Sequence, residues 1–298
     1  YSPLVRGIGD FLGGGGFALF FGGSLVDALC GGVCGILVGL VMRFLGTRRA
    51  GPFFNTLAAS FFMALLAYGL NAAGLCPNPN AATIGALMIL VPGLIFTNAM
   101  RDILYGDTNS GVNRIVQVLL LAAAIALGTA GAWNVASLLW GMPVSLPSIT
   151  YPVWKQCLFS LIGCIGFSIL FNIHGPGTAI STLGGVLSWF VYCLAARLGC
   201  GVIACYFWAA LFSSVYSEIM ARIRKYPAIS YLVVAIFPLI PGAGVYYTMN
   251  YAVLGQMDKF AQEGMHTAAI AGIMAVGILL GSTLFRLHSD WKQRHHIA

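Results

Sequence analysis

Charge is what this sequence has least of. Only 8% of its 298 residues are Asp, Glu, Lys or Arg, and 59% are hydrophobic, whereas a water-soluble domain carries about 25% charged residues. At a mean hydropathy of +0.89, this much apolar surface has no place in one aqueous core, so lipid must be the solvent for much of it. Acidic groups are scarcer than basic ones, 8 against 15, and the net charge is +7. In a membrane chain that excess reads as Lys and Arg held in cytoplasmic loops rather than as a nucleic-acid footprint. Signatures of catalysis are missing too. There is no nucleophile elbow, phosphate loop or zinc pattern. The 8 Cys form no C-x-x-C pair and have no His at ligand spacing, so they read as small buried hydrophobes. The reading is therefore no enzyme, no metal and no cofactor. No signal peptide is visible, and the chain opens on Tyr1 rather than Met, which suggests that an N-terminal piece is missing.

What is present is a series of apolar runs. A helix needs about 20 apolar residues to cross a bilayer. Ten runs qualify, at 8–22, 24–44, 52–72, 82–101, 112–140, 156–172, 177–196, 200–220, 229–254 and 262–285. The first is short and contains Gly13 to Gly16, which allows a tilted or partly unwound helix. With the N-terminus in the cytoplasm, the basic residues sort twelve to three. Arg6, Arg43, Arg48, Arg49, Arg101, Arg114, Arg222, Arg224, Lys225, Arg286, Lys292 and Arg294 fall inside, and Lys155, Arg197 and Lys259 outside. Both termini are thus expected in the cytoplasm.

The chain also resembles itself. VPGLIFTNAMRDILYGD from Val91 matches IPGAGVYYTMNYAVLGQ from Ile240 at an offset of 149 residues, pairing Pro92 with Pro241, Gly93 with Gly242, Met100 with Met249 and Gly106 with Gly255. Gly128 pairs with Gly277, and FALFF at Phe17 resembles FSILF at Phe167. The expected fold is all-α and integral to the membrane. It has ten transmembrane helices in two five-helix repeats, 1–140 and 156–298 with its cytoplasmic tail, joined by a linker at 141–155 that carries three prolines. Five spans per repeat is an odd number, so the second copy is expected upside down relative to the first.

Pro92-Gly93 and Pro241-Gly242 each fall near the middle of an apolar run, the fourth and the ninth. Proline removes a backbone donor and clashes with the preceding turn, and the glycine lets the chain leave helical geometry. Paired interruptions in corresponding helices of two halves point to a substrate site. Polar groups follow each break: Thr97, Asn98, Arg101 and Asp102 after the first, Tyr246, Tyr247, Thr248 and Asn250 after the second. The expected substrate-binding set is Pro92, Gly93, Asn98, Asp102, Pro241, Gly242, Tyr246 and Asn250. A small zwitterion would lie between the two breaks, its carboxylate at a half-helix N-terminus and its polar groups on Asn98 and Asn250. Ionisable residues inside spans are few, and each is a candidate for function. Asp27 has apolar neighbours and is the first choice for a coupling proton, with Asp10 also in a span. Glu218 is expected to pair with Arg222 four residues on. Asp107 and Asp258 read as helix caps or solvated loop residues. Gly31, Gly35 and Gly39 form a close-packing stripe, and His174 has a structural setting.

VPGLIFTNAMRDILYGDTNSG resembles the signature of the threonine/serine exporter family, as do FALFFGGSLVDALCGG and FSILFN. The resemblance spans almost all of 8–286 and rests on Pro92, Gly93, Asn98, Arg101, Asp102, Gly106 and Asp107. In the second half Pro241, Gly242 and Gly255 fit, while Gln256 stands where an acid is usual. The family implies a ten-helix membrane part after an N-terminal polar domain, in one chain or split between two partner proteins. It implies proton-driven export of threonine and serine across the bacterial inner membrane. Partners are then the substrate, the proton and the bilayer, with a homo-oligomer or two-chain complex left open. Export of a dicarboxylate such as succinate is the main rival. It would want an intramembrane cation, which the apolar centres lack. A channel would want a pore-lining ring or filter, and none is visible.

Overall fold

A computed structural model describes the chain except Arg49, Met142, Val144, Ile297 and Ala298, and except the side chains of Gly93 and 288–296. Of the residues counted in the charge bias, Arg49, Lys292 and Arg294 therefore lie outside what is described. The first half contains α1 (Pro3–Phe20), α2 (Leu25–Thr47), α3 (Pro52–Ala72), α4 (Pro79–Leu87), α5 (Gly93–Leu104) and α6 (Thr108–Trp140). The second contains α7 (Val153–Leu170), α8 (Pro176–Arg197), α9 (Val202–Arg224), α10 (Ala228–Ala235), a 3-10 turn (Phe237–Leu239), α11 (Gly242–Val253) and α12 (Met257–His296). Among the described residues there is no strand. Seven of these helices are long and apolar enough to cross a membrane, and eight if α10 and the segment Phe237–Val253, bent by 41°, count as one. Of the ten expected runs, the first and fourth fall short. α1 has 18 residues, many of them glycine, and the fourth run divides into α4 and α5, of 9 and 12 residues. On α2, Leu25, Leu29, Val33, Leu40 and Phe44 form one exposed apolar stripe, the face a lipid-solvated helix presents.

Each α-helix of the second half begins 149 to 151 residues after its counterpart, from Pro3 and Val153 through Leu25 and Pro176 to Thr108 and Met257. The packing repeats as well. Gly128 of α6 lies against Leu57, Ser60 and Phe61 of α3, and Gly277 of α12 against Phe207, Ala210 and Leu211 of α9. The Tyr1 hydroxyl donates to the Ile173 carbonyl at 2.7 Å, and the Tyr151 hydroxyl to the Gly23 carbonyl at 2.9 Å. Gly106 and Gly255 both end a half-helix at positive φ, +90° and +72°, where a side chain would be strained.

α1 is the centre of the bundle. It packs on α2, α4 and α7. Gly14 meets the Gly31 backbone and Gly15 the Ala28 carbonyl of α2, Gly16 meets Gly163 of α7, and Gly13 meets Gly166. Ala18 lies against Gly85 of α4. The Gly13–Gly16 stretch is continuous helix, not unwound: neighbouring backbones hold it on three sides, and they come this close because no Cβ intervenes. The α2 stripe serves the same contact. It also makes room for a charge, since Gly39 lies directly against the Asp10 carboxylate. Asp10 is 1% exposed and accepts a 2.9 Å hydrogen bond from Arg43 of α2.

The fourth and ninth runs are both broken at the expected prolines, with nearly the same backbone: Pro92 at φ −79°, ψ 35° and Pro241 at φ −75°, ψ 48°. Beyond its break, each half-helix crosses to the other half of the molecule. α5 packs on α6 and also on α12, and α11 on α12 and also on α6. The two elbows meet. A Cβ on Gly242 would lie 2.9 Å from Val91 Cγ1 and 3.3 Å from Met88 Sδ.

The glycine contacts predict a contrast within α1. Gly16→Val drives a branched side chain into the α7 backbone and is expected to cost at least about 1–3 kcal/mol. Gly7, with open space around it, is expected to accept Ala with a gain of about 0.5–1 kcal/mol. Thermal unfolding of the detergent-solubilised protein reads both; equal midpoints for the two variants would refute the packing account.

Candidate functional site

Side chains from both halves surround a cavity of about 480 Å³. Its walls are Tyr68 of α3, Asn80, Thr83 and Ile84 of α4, Thr129, Ala130, Trp133 and Asn134 of α6, and Tyr246, Tyr247, Asn250 and Leu254 from α11 and its end. α11 reaches it only because the break at Pro241 carries this half-helix across to α6. The lining carries no charge and sets amides and hydroxyls among a larger apolar surface. Thr129 donates back to the Ile125 and Ala126 carbonyls at 3.0 and 3.1 Å, and Tyr246 lies within hydrogen-bond reach of Thr129. Thr83 is 3% exposed, and its hydroxyl has no partner among the described residues. An unpaired buried hydroxyl costs about 1–3 kcal/mol, and in this conformation its oxygen is closed off from the cavity. A smaller cavity of about 240 Å³ shares Tyr68 and continues to Trp140, Gly141 and Pro143 at the linker.

A second cavity, of about 280 Å³, is lined by Arg101 and Tyr105 at the end of α5, Ser214, Ser217 and Glu218 of α9, Ala228, Ile229 and Leu232 of α10, and Ile278, Ser282 and Arg286 of α12. It is the first cavity shifted by the internal offset. Tyr68 corresponds to Glu218, Asn80 to Ile229, Thr83 to Leu232, Thr129 to Ile278, Trp133 to Ser282, Asn250 to Arg101 and Leu254 to Tyr105. The two lie toward opposite ends of α6. Arg114, near its start, bonds Asp102 at 3.1 Å beside the second cavity, while Thr129 to Asn134 line the first. Fifteen helical residues span about 22 Å.

Of the expected substrate residues, Tyr246 and Asn250 line the first cavity. Pro92, Pro241 and Gly242 shape the elbows, whose contact is filled by Met88, Leu239, Ile240 and Leu90. The space between the breaks is thus apolar and closed, and the polar cavity starts about a turn beyond. Gly93 begins α5. Asn98 is half-buried on α5 and is not among the residues lining either cavity. Asp102 is 3.9 Å from Arg101 and closer to Arg114, in an ion cluster at the α5–α6 turn. Asn80, Thr83, Thr129 and Asn134 were not singled out by sequence reasoning. The only signal for them was polarity within or at the end of apolar runs, without a break to mark it.

Asp27 is 2% exposed, and its carboxylate ties two helix starts together. Oδ2 accepts from the Ser24 amide at 2.8 Å and the Ser24 hydroxyl at 2.7 Å, closing a capping box on α2. Oδ1 accepts from the Asn78 amide at 2.7 Å and faces Cys76 Sγ at 3.6 Å. The carboxylate thereby ties the start of α2 to the residue that caps α4, and α4 walls the first cavity. Glu218 pairs with Arg222 at 2.6 Å. Asp107 caps α6 by accepting from the Ser110 amide, and the bonds from Ser110 hold its carboxyl below the usual carboxylate range. The cap is therefore complete at neutral pH and is lost as the pH falls through that lowered value. The ring of His174 stacks on Tyr1 at 4.1 Å. Among the described residues no cluster of His, Cys, Asp and Glu could hold a metal ion.

Comparison with known proteins agrees with this layout. A family model described as "Putative threonine/serine exporter" matches residues 1–136, and one described as "Threonine/Serine exporter, ThrE" matches residues 156–284. The threonine/serine exporter of Corynebacterium glutamicum is 23% identical over 296 residues, an alignment covering 96% of this chain and 60% of that protein. The chain thus spans about 60% of that relative's length. No solved structure matches it. With one model on each half and a relative aligned along nearly the whole chain, this multi-pass membrane protein belongs to the threonine/serine exporter family.

Proposed function

We propose that the protein is a secondary active exporter of small amino acids, threonine and serine above all, coupled to the proton gradient of a bacterial inner membrane. In this reading it is not an enzyme. The broken pairs α4–α5 and α10–α11 each count as one span and α1 as a short one, which makes ten spans in two five-helix repeats of opposite orientation with both termini in the cytoplasm. Support comes from the equal offsets of the elements, from the matching proline geometry and from two cavities that correspond position by position. In such an arrangement, alternating access is one half rocking against the other, so that one cavity widens as its counterpart narrows. The wider cavity lies toward the linker, which the charge bias places outside.

The observation that carries the substrate assignment is the group of uncharged amides and hydroxyls set among the apolar walls of the first cavity. Amides at Asn80, Asn134 and Asn250 offer both donors and acceptors, which suits a zwitterion with a hydroxyl side chain. A volume of about 480 Å³ is ample for a small amino acid with some of its water. A doubly charged dicarboxylate would be desolvated there without a cation to meet it. Among the described residues no ring of charged side chains lines the first cavity, which favours a carrier over a channel.

Asp27 is the proposed proton site. Protonation removes an acceptor lone pair and the negative charge from a carboxylate that anchors the start of α4 through the Asn78 amide. The state of one proton then biases the position of the helix that bears Asn80 and Thr83.

In proteoliposomes, Thr83→Val and Asn250→Ala are each expected to raise the KM for threonine about tenfold, the loss of one hydrogen bond in a buried site. Unchanged KM in both variants would remove the first cavity from consideration. Asp27→Asn keeps an oxygen for the Asn78 amide but has no carboxyl to take up a proton, and it turns an NH2 toward the Ser24 amide. It is expected to retain threonine exchange and to lose acceleration by a pH gradient, whereas Asp10→Asn keeps that acceleration. Gradient-driven flux undiminished in Asp27→Asn would rule out Asp27 as the coupling group.

A further inference from the structure

The two cavities correspond in position but not in charge. Where the first has Asn250 and Tyr68, the second has Arg101 and Glu218, and the second adds Arg286, whose counterpart Ser137 lies one turn beyond Trp133 and does not line the first. Both acids near these cations are already engaged. Glu218 pairs with Arg222 at 2.6 Å. Asp102 lies 3.1 Å from Arg114 but 3.9 Å from Arg101. Arg286 reaches only the Tyr105 hydroxyl, at 3.4 Å, among the described residues. The second cavity therefore has a cationic surplus on two guanidinium groups whose donors are incompletely used. A guanidinium presents a planar fork of donors matched to a carboxylate.

We infer that the second cavity is a distinct substrate-loading site, in which Arg101 and Arg286 take the α-carboxylate of the amino acid. The inference rests on the amino-acid reading above and adds to it where recognition of the charged backbone of the substrate occurs. It also gives the duplication a direction. Substrate is gathered by charge on the face bearing the α5–α6 turn, and it is released through an uncharged cavity on the face bearing the linker. Release is eased because no cation holds the carboxylate there. A pair of arginines serving only as a membrane-end anchor would instead be indifferent to the substrate's carboxylate.

The test uses the full chain in vesicles of uniform, known orientation, with threonine and threoninamide, which lacks the carboxylate, offered to each face in turn. Wild-type protein is expected to load threonine from the Arg101 face at least about tenfold better than the amide, as the loss of a charge-assisted hydrogen bond dictates. That preference should collapse in Arg101→Gln and in Arg286→Gln and return in part in Arg101→Lys. Thermal unfolding midpoints of the solubilised variants equal to that of wild type report that they are folded. A carboxylate preference retained in both Gln variants, or a KM raised equally on both faces, overturns the loading site. Wild-type vesicles that move no amino acid overturn the exporter reading itself, and the loading site with it.

Discussion

The structure depends on how closely α1 and α7 approach. Gly16 sits directly on the backbone of Gly163 and Gly166 on that of Gly13, while Gly163 and Gly13 make room for the Phe17 and Phe167 rings. In lipid there is little hydrophobic gain from pairing apolar helices, so the stabilisation must come from close van der Waals contact between complementary surfaces. α1 has little side-chain bulk of its own along this stretch, and for that reason it touches α2, α4 and α7 at once. The remaining helices are arranged around that contact, α3 with α6 in one half and α9 with α12 in the other. The same lack of bulk leaves room beside Gly39 for the buried Asp10 carboxylate, held by Arg43.

The second constraint is the break at Pro92 and Pro241. A straight helix would stay within its own half. The breaks let α5 reach α12 and α11 reach α6, so each cavity has walls from both halves. A relative movement of the halves must then change the shape of both cavities together. The elbows themselves are sealed by Met88, Val91 and Gly242. In the proposed cycle they form the apolar barrier between the two cavities rather than the substrate seat.

Much of the fold is readable from residue order. Low charge and long apolar runs require a membrane, and Pro-Gly at the same depth in two halves marks the breaks, because proline's effect on a helix is local. The role of Asp107 as a helix cap and the pairing of Glu218 with Arg222 are likewise local, set by residues within four positions. The candidate site was read less fully. Tyr246 and Asn250 follow a break and were found. Asn80 and Thr83 precede the first break and Thr129 and Asn134 lie on the unbroken α6, and whether a polar side chain there faces lipid, protein or a cavity depends on neighbours far away in sequence.

By itself, then, the order of residues determined the solvent, the helices, the breaks and the kinship between halves, since each follows from hydropathy, backbone chemistry or direct matching along the chain. Only the tertiary structure decided that the glycine run of α1 stays helical, that Asp27 ties α2 to the cap of α4, and that polar walls meet a turn away from the elbows. These outcomes depend on which backbones can approach one another in three dimensions, and contacts between residues 50 to 150 positions apart leave no local trace.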